Sequence, residues 1–171
     1  MRMRLAIRFF AAALLVAGSG CSSFDSRWKT AAAPNSPASR WDGRWTSEKH
    51  RAPGGDGPAG GRLRAVLTGL DPNGLPTQRI TPSTKLRADF HANWLIFASS
   101  YTVTLEPVSG SRTDFRGTHE LPKLFGGTYR YDSRLAGDRL SARYTSSYDH
   151  GTFALQRIPA RRDSPPAHAR H

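Results

Sequence analysis

The chain predicts an all-β protein, an eight-stranded antiparallel up-and-down barrel. Three observations carry this. Apolar and polar residues alternate with a period of two in one run after another, the pattern of strands with one face buried. Turn-forming Asp, Asn, Ser and Gly separate the runs at short intervals. The polar face is made of Arg, Lys, Asp and Thr, so it meets water; a membrane-spanning barrel would be apolar outside and polar inside.

The first strand, 41–48, carries Gly43 and Trp45 in "GRW". The second, 62–69, sets Leu63, Ala65 and Leu67 against Arg62, Arg64 and Thr68. The third, 84–93, runs through Leu86, Ala88, Phe90 and Ala92 towards Trp94, against Arg87, Asp89 and His91. The fourth, 97–107, shows Tyr101, Val103 and Leu105. Its apolar residues have odd numbers, whereas those of the third have even numbers. A one-residue slip exchanges the faces of a strand, so a turn or bulge is required near 94–99. The fifth, sixth, seventh and eighth strands follow at 112–119, 127–135, 138–146 and 151–158. The sixth sets Tyr129, Tyr131 and Leu135 inward, the seventh Leu140, Ala142 and Tyr144, and the eighth Phe153, Leu155 and Arg157. "DPNG" (71–74), "VSGS" (108–111), "AGD" (136–138) and "DHG" (149–151) are the turns. Asp149 and Gly151 suit a hairpin ending in a left-handed glycine. No helix is expected within 41–158. Closing eight strands into a barrel removes exposed edges.

Residues 1–20 read as an export signal: Arg2, Arg4 and Arg8, a short apolar run from Phe9 to Ala17, then small residues. Cys21 follows and is the only cysteine, so an internal disulfide is excluded. The placement resembles the lipobox of bacterial lipoproteins, with Gly18 where that family usually has Leu. The resemblance implies lipidation of Cys21, a cell-envelope location and, from the serines after it, the outer membrane, with the barrel in the periplasm or at the surface. Residues 21–40 are then anchor and flexible tether, and 159–171 a disordered basic tail.

"GRW" together with Arg157 is similar to the calycin pattern of lipocalins and avidins. That likeness implies a calycin-like barrel in which Arg157 packs across Trp45 as a cation–π pair. The domain also resembles uncharacterised bacterial lipoprotein-like proteins with a W-x-G-x-W start, a likeness that implies no activity.

In a meander the first, third, fifth and seventh links share one end. The first, "KHRAPGGDGPAGG", is glycine-rich, but no helix follows it to bind a phosphate. The third and fifth bring Trp94, Leu95, Phe97, Leu121, Leu124 and Phe125 to that end. These residues plug the barrel, line the mouth of a ligand pocket, or dip into a membrane interface. His50, His119 and His150 fall near the same end and are weak metal candidates, since they sit on separate loops without short spacing. Asp149–His150 lacks a nucleophile in a recognised setting, so no enzyme activity and no cofactor are expected.

The formal net charge is +12, or +9 once the three signal arginines are removed. That favours anionic envelope polymers or lipid headgroups; export argues against nucleic acid. Two functions follow. One is an anchored barrel holding a small apolar or amphipathic ligand. The other is a non-catalytic envelope protein with a filled barrel and a working basic surface. A hydrolase or metalloenzyme stands third. Ligand pockets run from roughly 300 Å³ upward, so the interior volume separates the first two.

Overall fold

The computed structural model describes residues 23–52, 54–79, 81, 83–94, 97–123 and 127–160, without the side chains of Trp94 and Phe97. Nine strands are formed: β1 (Ala38–Arg51), β2 (Pro58–Leu70), β3 (Pro76–Thr77), β4 (Lys85–Trp94), β5 (Phe97–Pro107), β6 (Asp114–Glu120), β7 (Thr128–Ala136), β8 (Arg139–Thr145) and β9 (His150–Ile158). Their order is β1-β9-β8-β7-β6-β5-β4-β2-β3, and β1 also pairs with β2. That last pairing closes an eight-stranded antiparallel barrel. The unforeseen β3 is a two-residue strand pairing with the end of β2. The required turn is present: β4 and β5 pair as a hairpin, Trp94 opposite Phe97.

The interior follows from parity. Leu63, Ala65 and Leu67, Leu86, Ala88 and Phe90, Val103 and Leu105, Leu140 and Ala142, and Phe153 and Leu155 are buried in one cluster with Trp41, Phe115, Tyr131 and Tyr144. Phe90 is its aromatic centre, with ring centroids 5.4 Å from Tyr101 and 5.4 Å from Phe153. Small inward residues face large ones across the strands, as Ala65 does Phe90 and Ala142 does Phe153.

Two glycines permit close strand approach. A Cβ on Gly43 would run into the Ala154 carbonyl of β9, and one on Gly151 into the Thr46 carbonyl and the Tyr144 hydroxyl. Gly151 is therefore not the left-handed turn residue expected. Positive φ occurs instead at Gly54, Gly74, Gly110, Gly127 and Gly137. The β8–β9 link is 146–149, organised by Ser146, whose Oγ accepts the backbone N–H of Tyr148 and of Asp149.

The segment before β1 corrects the tether expectation. Residues 23–30 form a helix, α1, packed on the outer wall over β1, β2 and β4. Phe24 is 1% exposed, clustered with Ala31 and the outward-facing Val66, with Trp28 and Ala38 against them. The Phe24 ring stacks on His91 at 5.0 Å, and the Arg64 guanidinium lies over both Phe24 and Trp28. Arg27 donates to the buried Asp89 at 2.7 Å, and Asp89 also accepts from Thr102 at 2.6 Å and is approached by Arg87. The physical reason is spacing: Phe24, Trp28 and Ala31 recur at intervals of four and three, one face of a helix. Val66 supplies the apolar patch that this face covers.

Candidate functional site

Antiparallel order brings the end of β1, the start of β2, the end of β4, the start of β5, the end of β6, the start of β7, the end of β8 and the start of β9 to one end of the barrel. The polar centre of that end is Asp149. Its carboxylate accepts from Ser47 Oγ at 2.6 Å, from Tyr144 OH at 2.9 Å and from the His150 backbone N–H at 2.8 Å. Ser47 Oγ in turn accepts the backbone N–H of Lys49 and of His50. One buried carboxylate thus ties β1, β8 and β9 together at the mouth. His50 lies at the rim, its Nε2 3.9 Å from Asp149 and its ring 4.9 Å from that of Tyr148.

Beneath the rim is a cavity of about 190 Å³, walled by Trp45, Tyr101, Tyr129, Tyr131, Tyr144 and Phe153 with Asp149 at one side. Burial raises the phenol pKa of Tyr101 to about 12 and drives those of Tyr131 and Tyr144 higher still. His119 borders the cavity against the Tyr101 ring, and burial lowers its pKa below the usual 6.5.

Of the residues expected at the mouth, Leu121 lines this cavity. Leu95, Leu124 and Phe125, and the side chains of Trp94 and Phe97, lie outside the described residues. So do Cys21 with the whole signal, and residues 161–171. Trp45 points its indole Nε1 at the Asn93 carbonyl, 3.2 Å away, and stands opposite Phe153. Arg157 does not meet it. Arg157 stands opposite Trp41, with its side chain 52% exposed and Nη1 3.7 Å from Asp138. The correction has a simple cause: the β1–β9 register sets Phe153 opposite Trp45 and Arg157 four residues further along, opposite Trp41. The histidines also separate. His50 and His119 reach the cavity, whereas His150 faces outward on β9, and the described residues hold no cluster of three metal-ligating side chains.

A second concavity lies outside the barrel, an open groove of about 900 Å³ across β1, β9, β8, β7 and β6. Its floor is small: Thr46, Ser141, Thr152 and Ala154. Its walls are Arg44, Arg116, Arg134 and Arg143, with Asp114 and Asp132. Arg116 pairs with Asp132 at 3.1 Å, Arg134 with Asp114 at 2.8 Å and Arg143 with Glu48 at 3.7 Å. Arg44 has no ion pair among the described residues. The alternation in the sequence sets Asp132, Arg134 and Arg143 opposite the inward residues, but it gives no sign that the wall there is concave. In strand order the groove is centred on β7–β9, across the barrel from α1.

Compared with models of protein families, with curated proteins and with solved structures, the chain matches none. Among the described residues no helix is long and apolar enough to cross a membrane.

Proposed function

We propose that this protein is a non-catalytic, lipid-anchored envelope barrel that works from its outer wall, binding an anionic polymer along the arginine-lined groove. The observation that carries the reading is the contrast between the two concavities. The interior leaves about 190 Å³, below the roughly 300 Å³ where pockets for drug-sized ligands begin, so the barrel is too filled by aromatic rings to carry a lipid or other large amphipathic ligand. The outer groove has about 900 Å³. Arg116, Arg134 and Arg143 are held by exposed ion pairs, each worth about 0–1 kcal/mol, so a polyanion can displace the carboxylates at little cost. Planar guanidinium groups match sulfate, phosphate and carboxylate in two-point contacts.

The anchor fits this reading. From Cys21 to the start of α1 is two residues, a reach of at most about 7 Å. A lipid on Cys21 would hold the α1 wall against the bilayer and turn the groove away from it, towards the polymer.

The test is binding of the full chain carrying Cys21→Ser to dextran sulfate and to polyphosphate, with neutral dextran as control. Binding should weaken with salt and fall at least tenfold in Arg44→Glu/Arg134→Glu. Equal affinity for neutral dextran, or no effect of the double charge reversal, refutes the groove. For the anchor, Cys21→Ser should release the full chain from membranes; retention there would refute lipidation.

A further inference from the structure

We infer that the cavity at the barrel mouth is a binding site for a small organic cation, a quaternary or methylated ammonium. Five tyrosines, Trp45 and Phe153 line a space that His50 and His119 also border, and the one carboxylate among its described lining residues is Asp149. Aromatic faces carry negative potential and attract cations, most strongly where water is excluded.

Asp149 is the second, independent sign. It is 8% exposed. Buried carboxylates normally have a cationic partner. Among the described residues no lysine or arginine nitrogen comes within 4 Å of this one, and the nearest ionisable nitrogen is His50 Nε2 at 3.9 Å. Lys49 points elsewhere, to the Ser147 carbonyl and the Tyr148 ring. Neutral donors hold the carboxylate in place, Ser47 and His150 on Oδ1 and Tyr144 on Oδ2. Burial raises the phenol pKa values of Tyr101, Tyr131 and Tyr144, so these side chains line the cavity as neutral aromatic groups. The size also selects. A cavity of roughly 150 Å³ is enough for benzene, so about 190 Å³ admits a trimethylammonium head and excludes a lipid or a polymer chain.

The experiment is an NMR titration of the full chain carrying Cys21→Ser with choline and, separately, with 3,3-dimethylbutan-1-ol, its neutral isostere with carbon in place of nitrogen. Choline should shift resonances of Tyr101, Tyr129 and Tyr144 saturably, and the isostere should bind at least tenfold more weakly. Asp149→Asn should remove that preference, cutting choline affinity at least tenfold and leaving the isostere unchanged. The comparison of the two compounds needs no substitution, so it stands even where the variant does not fold. No saturable shift with choline, equal binding of the two compounds, shifts confined to the outer groove, or full choline affinity in a folded Asp149→Asn would each overturn the assignment.

Discussion

Replacing Phe24 by alanine separates a docked helix from a loose tether. Phe24 is 1% exposed and sits between the His91 ring at 5.0 Å, the Trp28 ring at 5.8 Å and the Arg64 guanidinium at 5.3 Å. Removing a phenyl group from such a site costs about 3–5 kcal/mol when the surroundings stay put. Here a second route exists, because α1 can leave the wall. The loss is then capped at the docking free energy of α1, and Phe24→Ala/Trp28→Ala should cost less than the two single losses together. At about 4 °C per kcal/mol for a domain of this size, the single variant should lower Tm by about 10 °C or more. His91 gives a second readout. Burial, with Arg64 nearby, holds its pKa below 6.5. A depressed histidine pKa means the unfolded chain binds the proton first. Stability is therefore full above pH 6.5, falls as pH drops below it, and stops falling beneath the native pKa. Undocking α1 should hydrate His91 and raise its pKa towards 6.5, which an NMR titration follows. A Tm change under about 2 °C with an unaltered His91 titration would show that residues 23–30 do not pack, and the tether reading would stand.

Three further outcomes follow from the same geometry. Arg157→Ala should change stability by less than about 0.5 kcal/mol in chemical denaturation, since its ion pair with Asp138 is exposed; a loss above 2 kcal/mol would restore the packed-arginine reading. Ser133 Oγ is buried with no hydrogen-bond partner among the described residues, so Ser133→Ala should stabilise by about 1 kcal/mol, seen as a higher Tm. Gly151→Ala should destabilise by about 3 kcal/mol or more, because the added methyl meets the Thr46 carbonyl and the Tyr144 hydroxyl; retention of the parent Tm would contradict that close approach.

The barrel was legible because alternation is local information. A strand with one face buried must place apolar side chains two residues apart, and the parity change between Ala92 and Tyr101 located the β4–β5 turn. The eight barrel strands, the turn regions and most inward residues came from this rule, while the two-residue β3 did not. The helix was legible too, in Phe24, Trp28 and Ala31, but the signal is three residues long and lies in a polar, proline-bearing stretch. Its meaning depends on Val66, an apolar residue at an outward position 42 places further on.

The site was read less completely, and Asp149 shows why. Local chemistry accounts for a turn aspartate beside a glycine. Its principal partner, Ser47, is 102 residues away, and only barrel closure, with β1 beside β9, brings them together. Closure likewise set Arg157 opposite Trp41 instead of Trp45, left His150 outside while His50 and His119 reached the cavity, and bent one wall into the outer groove. The sequence by itself determined which side chains point in and which point out, because that alternation is built into each strand. Which of them meet, and how much space remains between them, was decided by the register between strands distant in sequence, and that exists only in the closed barrel.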